Sequence, residues 1–442
     1  MDFSQLDAIS SDLALTAKRL KALCENSSQA ITSANNEPTK DALVPSAMAY
    51  NLEHEIALAQ SNLNSISSRL ETLLAGPASF IRSMATQSQL LACLKWMGEY
   101  QIIAYIPLDD IISLEELANL ADVSEHTLSR VVRMTATAGF LYEPQPGHVA
   151  HTPLSLSFTT ELSYFDAAMF LANKVAPASF NLAFFANEHD STAMHLQSPR
   201  PLDLLSQEPQ TNRQWQAFRQ SMGSMSNSLA YLPNLLNWRS LGDASVVDIC
   251  DSDTTLAQDL AQAAPALRVT VQTYDFTPTE TALSALGNSD KDTIMSQRVV
   301  IQRRKPTISQ PIKDAAVYLL HPSFGAASTR GYTPSELVTM ELKAHFGILR
   351  ANPTALLILA PAMLPEPGSV AVNLETQARL LDFAETHLTG QGAMEVSELY
   401  RLTDSVCDAR GRLIIKSRVR SADGATIALV VKYQPCESAE LI

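Results

Sequence analysis

Along the first part of the chain, apolar residues return every three or four positions, the period of a helix with one buried face. Residues 1–76 read as two amphipathic helices around a polar hinge, Asn26 to Thr39, which is rich in Ser, Asn and Thr and holds Pro38. The second helix is expected from Ser46 to Leu74, with Leu52, Ile56, Ala59, Leu63, Ile66, Leu70 and Leu73 on one stripe. A stripe sustained over about six turns must be covered, either by its own chain or by a second copy or partner.

Residues 77–160 are sharply punctuated. Leu90, Leu91, Leu94 and Met97 mark a helix that meets Gly98, and Ile102, Ile103 and Ile106 form a second apolar stretch stopped by Pro107. Ser113 and Glu116 have the spacing of a capping box ahead of a helix that buries Leu114, Leu117 and Ala118. Asp122-Val123-Ser124 turns the chain into another helix, with Leu128, Val131 and Val132 inward and an end near Gly139. Phe140–Tyr142 and Val149–His151 flank Pro146-Gly147 as a strand-turn-strand wing, so the layout is that of a winged helix. Its second helix offers Arg130 and Arg133 amid Asp109, Asp110, Glu115, Glu116, Asp122 and Glu125, a poor surface for phosphates. The reading is a structural or dimerising module, not a reader of nucleic acid.

Residues 161–240 are expected to be a helical connector anchored by Phe165, Phe170, Phe180, Phe184 and Phe185. A polar stretch from Asn187 to Asn212 precedes a helix through Trp215, Phe218 and Met222. From 241 to 442 the period alternates between strand and helix. Strands are expected at 245–249, 268–274, 315–320 and 355–359, and helices at 255–264, 333–349 and 374–388. A closing hairpin of 413–417 and 427–433 turns at Asp423-Gly424. The fold class is therefore α/β, a doubly wound sheet behind helical and winged-helix segments.

Composition narrows the function. With 32 Lys and Arg against 46 Asp and Glu, the 442-residue chain carries a net charge of −14, which disfavours nucleic acid as a direct partner. No apolar run is long enough for a membrane helix, and Met1-Asp2-Phe3-Ser4 has neither a basic nor an apolar leader region, so no secretory signal is expected. Cys24, Cys93, Cys250, Cys407 and Cys436 are scattered and lack a CxxC pair, so neither a zinc site nor a disulfide framework is expected. Arg303-Arg304-Lys305-Pro306 reads as a solvated basic loop or, with fewer cations than usual, as a nuclear-import signal.

The order of winged helix, connector and doubly wound sheet over roughly residues 85–433 resembles the small-molecule O-methyltransferases of plants and fungi. His151-Thr152-Pro153-Leu154-Ser155 looks like the end of their dimerisation domain. Tyr318-Leu319-Leu320 looks like their strand leading to the catalytic histidine, and Leu364-Pro365-Glu366-Pro367-Gly368 like a motif that follows a later strand. That family places a glycine-rich loop after its first strand, where S-adenosylmethionine approaches the backbone. Here Val246-Val247-Asp248-Ile249 is followed by Cys250-Asp251-Ser252-Asp253-Thr254, with no glycine. Asp248, Cys250, Asp251, Asp253 and Asp275 are then at most vestiges of a cofactor site. His321, at the end of its strand, is a displaced candidate for the base, and His345 reads as a surface or packed residue.

The segments Gln89–Tyr100, Ile106–Asp109 and Gly139–His151 further resemble the O-methyltransferase-like co-activators of fungal aflatoxin-type polyketide clusters. This resemblance implies a pathway-specific regulator that associates with a Zn(II)2Cys6 transcription factor. The chain is further expected to use no cofactor, to work in the nucleus and cytoplasm, and to form a homodimer through the N-terminal helices and winged helix. Two enzymatic alternatives stay open. One is a cyclase or pericyclase using His321, Tyr332 and the Arg298, Arg303, Arg304 and Lys305 segment. The other is a divergent methyltransferase that still uses S-adenosylmethionine.

Overall fold

The computed structural model describes residues 3–34, 47–180, 208–222, 236–250, 254–275, 293–296, 298–322, 332–361, 363–389, 392–420 and 427–436. They group into two compact units, residues 1–90 with 371–376, and residues 91–370 with 377–442.

In the first unit α1 (Phe3–Ala34) packs along α2 (Ala47–Leu74), and the first half of α3 (Pro77–Glu99) follows. Of the expected stripe, Ala59 and Ile66 are buried, as is Ile9 of α1, while Ile56, Leu63, Leu70 and Leu73 are half-buried. The expected hinge is corrected: the chain stays helical from Asn26 to Ala34. No glycine or proline occurs before Pro38, and Ser and Asn alone lower helix propensity too little to break a helix already started. Residues 35–46 lie outside the described residues.

The second unit opens with α4 (Ile102–Tyr105), then β1 (Ile112–Ser113), α5 (Leu114–Ala121), α6 (Glu125–Ala136), β2 (Leu141–Tyr142) and β3 (His148–His151). The strands form an antiparallel sheet in the order β1-β3-β2. Gly139 and Gly147 supply the positive φ angles, 71° and 77°, that bring the chain out of α6 and around the β2–β3 turn. Leu117, Leu128, Val132, Leu141 and Val149 make the core of this part. Ser113 caps α5 by accepting from the Glu116 amide at 3.1 Å, but the reciprocal half of the expected capping box is not made. The complete box occurs at Thr152, where the hydroxyl of Ser155 takes the third-position role ahead of α7 (Pro153–Thr160).

The connector contains α8 (Leu162–Phe170), a π turn over Leu171–Val175, α9 (Ala176–Phe180) and α10 (Pro209–Ser221). Phe170, Trp215 and Phe218 cluster there with ring centroids 5.3–5.9 Å apart. Phe180 is no anchor, because 86% of its surface is exposed. Residues 184 and 185 are outside the described residues. The expected polar stretch ends earlier than Asn212, since Pro209 begins α10 at a position where a missing amide costs nothing.

A nine-stranded sheet follows, built from β4 (Ser245–Cys250), β5 (Arg268–Tyr274), β6 (Thr293–Ser296), β7 (Val299–Arg304), β8 (Val317–Leu320) and β9 (Leu356–Leu359). A separate parallel pair, β10 (Met363–Leu364) and β11 (Met394–Glu395), precedes β12 (Cys407–Asp408), β13 (Gly411–Arg420) and β14 (Ile427–Pro435). The large sheet has the order β12-β13-β14-β9-β8-β4-β5-β7-β6, parallel from β9 through β7 and antiparallel elsewhere. The helices are α11 (Thr255–Ala263), α12 (Pro334–Ala351), α13 (Val372–Thr389) and α14 (Val396–Ser405).

Alternation divides the sheet residues between two cores. Val247, Ile249, Tyr318 and Leu320 face α12 and α14, whereas Val246, Cys250, Val317 and Leu319 face α11. The expected basic loop at 303–304 is corrected to strand β7, whose Val299-Val300-Ile301 opening is β-branched throughout.

Candidate functional site

In an open parallel sheet, ligands bind beyond the carboxyl ends of the strands where the winding direction reverses. Here that point lies between β4 and β8, because the chain leaves β4 toward β5 and returns later to β8 on its other side. Asp248 and Cys250 are two apart in β4 and therefore share a face. His321 follows β8 directly, and its amide donates to the Ile249 carbonyl at 3.1 Å, which extends the ladder by one residue. Its imidazole Nε2 lies 2.5 Å from Asp248 Oδ1. Asp248 is completely buried, Cys250 is 1% exposed and His321 6%. One ligating atom of each lies within 4.8 Å of the other two.

Three of the sequence-predicted residues are thus brought together. Asp275 follows β5, and its amide donates to the Arg304 carbonyl at 2.9 Å. Asp251 and Asp253 lie outside the described residues. Tyr332 immediately precedes Thr333, whose hydroxyl and Glu336 form a complete capping box on α12. Glu366, in the segment following β10, receives Arg418 through two bonds of 3.0–3.1 Å and Arg420 at 3.2 Å. In the helix–turn–helix part, Arg133 is held by Glu143 through bonds of 3.0 and 3.1 Å. This pairing lowers the Glu143 carboxyl below its ordinary range.

A second polar assembly was not anticipated. Arg304, expected in solvent, is buried against Glu341 of α12, with which it forms an ion pair, and its Nε donates to Gln272 Oε1 at 3.1 Å. Gln272 and Gln310 exchange amide hydrogen bonds of 2.8 and 2.9 Å. His345 Nδ1 donates to the Glu341 carbonyl at 2.7 Å, leaving Nε2 to accept from the Gln310 amide at 3.2 Å. Burial, with a further push from Arg304, lowers His345 to about 4, so the ring is neutral near pH 7. Burial also raises the Glu341 carboxyl, and Arg304 pulls it back. The sequence carried one sign of this assembly: Gln272 sits in the middle of an otherwise apolar and β-branched strand.

No protein-family model matches the chain. A transcriptional coactivator of Pseudocercospora fijiensis is 40% identical over 363 residues, covering 80% of this chain and 98% of its own length. The monodictyphenone cluster transcriptional coactivator mdpA of Emericella nidulans is 32% identical, covering 98% of each chain. The chain belongs to this family of secondary-metabolite cluster coactivators. Its fold is that of the O-methyltransferases. Mitomycin 7-O-methyltransferase MmcR superposes with a TM-score of 0.56 at 17% identity, over 83% of this chain and 99% of that one. OxaC in complex with sinefungin and meleagrin gives 0.58 at 15% identity, over 96% and 99%.

Cys250 packs into the core facing α11, and the buried Asp248 carboxylate is engaged by His321. His321, the candidate base, is 6% exposed and hydrogen-bonded to Asp248.

Proposed function

We propose that the chain is a pathway-specific transcriptional coactivator of a secondary-metabolite, polyketide-type gene cluster, and that it acts by binding a Zn(II)2Cys6 transcription factor. The observation that carries this reading is the full-length similarity to cluster coactivators. The closed Asp248–His321 pair at the position of cofactor chemistry supports it. On this reading the partner reads the DNA. A chain of net charge −14 whose Arg133 is committed to Glu143 contributes no phosphate contacts of its own. The protein works in the nucleus as well as the cytoplasm, and the methyl-donor site is degenerate. Among the described residues no helix is long and apolar enough to cross a membrane.

The assembly we propose is a homodimer. Phe80, Ile81 and Met84 of α3 are 63%, 65% and 59% exposed, and their spacing puts an apolar patch on one helix face.

Deleting the gene and quantifying transcripts of its neighbours tests the regulatory role. Many cluster transcripts are expected to fall together. Unchanged transcripts with one accumulating intermediate would establish a tailoring enzyme instead. Calorimetric titration with S-adenosylmethionine is expected to give no heat at millimolar ligand, and micromolar binding would restore the methyltransferase reading.

A further inference from the structure

Burying a carboxylate completely is costly unless every lone pair and the charge itself are compensated. Asp248 is 0% exposed, and His321 satisfies only its Oδ1. Oδ2 is buried and, among the described residues, has no hydrogen-bond partner. An unmet buried acceptor of this kind marks a missing water or cation. The side chains around it make the choice between the two, since the Cys250 thiol and the His321 imidazole converge with the carboxylate to within 4.8 Å.

The geometry points to a zinc site formed by Asp248, Cys250 and His321 at the carboxyl ends of β4 and β8. Three protein ligands of mixed carboxylate, thiolate and imidazole character suit Zn(II). A thiolate is a poor ligand for magnesium or calcium, which select oxygen. Two of the ligands are held by a rigid strand at i and i+2, and the third is fixed by the ladder bond from its own amide to Ile249. The charge closes as well: one carboxylate and one thiolate neutralise Zn(II), so the buried site carries no net charge. As the zinc–sulfur bond forms, the Cys250 thiol proton leaves to solvent and the metal stays at the +2 state. Water completes the tetrahedron. Two ligand atoms about 2 Å from a tetrahedral ion stand roughly 3.3 Å apart, so His321 Nε2 and Asp248 Oδ1 separate modestly from their metal-free contact. The site would use the residues that the methyl-donor chemistry no longer needs, and it does not depend on the coactivator reading.

The test is titration of the full chain, freed of metal by chelator dialysis, with zinc sulfate in the presence of a chromophoric competitor. One tightly bound zinc per chain is expected. Cys250→Ser, Cys250→Ala, Asp248→Asn and His321→Gln should each weaken it at least 100-fold, whereas Cys407→Ser should leave it unchanged. Cobalt(II) in place of zinc should show a thiolate charge-transfer band that Cys250→Ser abolishes. Absence of zinc binding by the wild type would overturn the site. So would zinc held equally well by the folded Cys250→Ala variant, or a cobalt spectrum without the thiolate band. Cys250→Ala removes a single sulfur atom from a residue at the strand end, so it stays interpretable should Asp248→Asn fail to fold.

Discussion

At the scale of single residues, the strongest energetic consequences sit in the Arg304, Glu341 and His345 assembly. Glu341→Leu strands the Arg304 guanidinium in the core and should cost about 3–5 kcal/mol, read as a fall in the urea midpoint. Adding Arg304→Met to that variant should recover most of the loss, because the desolvation penalty then disappears with the charge. His345 makes stability depend on pH. Its folded value of about 4 lies below the ordinary 6.5, so between those limits the unfolded chain binds a proton that the folded ring refuses. Its contribution is complete above about pH 6.5 and declines as the pH falls toward 4, by about 3 kcal/mol in all. Denaturation series across that window should flatten in His345→Gln; an unchanged slope would assign the loss to other groups. None of these partners is close in sequence except the helical pair Glu341 and His345. A reading residue by residue therefore saw a basic run and a lone histidine.

At the scale of elements, local chemistry decides the ends and long-range pairing decides the neighbours. Thr333-Pro334-Ser335-Glu336 announced the start of α12, and the hydroxyl, proline and carboxylate occupy the expected positions. Thr333→Ala should cost about 1 kcal/mol by thermal or chemical unfolding, and Thr333→Asn far less. Strand β5 was legible to the residue, and β13 and β14 were legible as a hairpin, because β-branched and apolar residues fill them. Strands β6 and β7 were missed. The cations that end β7 suggested solvent, but that strand is paired with β5 over six positions and buries Arg304 through an ion pair. Among the described residues, strand β13 has no strand on its outer edge beyond Leu413, since β12 pairs with it only at Gly411 and Arg412. Lys416 on that edge, together with the irregularity between Ile415 and Ser417, discourages pairing with another chain. Replacing Lys416 with Val should raise light scattering at concentrations where the wild type stays dispersed.

At the scale of the whole molecule, an O-methyltransferase fold carries a buried Asp248–His321 pair at the carboxyl ends of β4 and β8. Fold and activity separate readily because chemistry resides in a few side chains placed on the scaffold. If the chain dimerises through α3, sedimentation at micromolar concentration should report a dimer that Phe80→Glu with Met84→Glu converts to monomer. A wild-type monomer would remove the dimer from the proposal.

The sequence alone determined the architecture, because the shift from a helical to a strand period and the capping residues are local properties that neighbours in the chain decide. It also determined the loss of the glycine loop, since five side chains at 250–254 are visible without coordinates. Only the tertiary structure decided what became of the remaining chemistry. Asp248 and His321 are 73 residues apart, and Arg304 and Glu341 are 37 apart. Their meeting follows from strand order and helix packing, and burial then strengthens each pairing by excluding water, which no local pattern records.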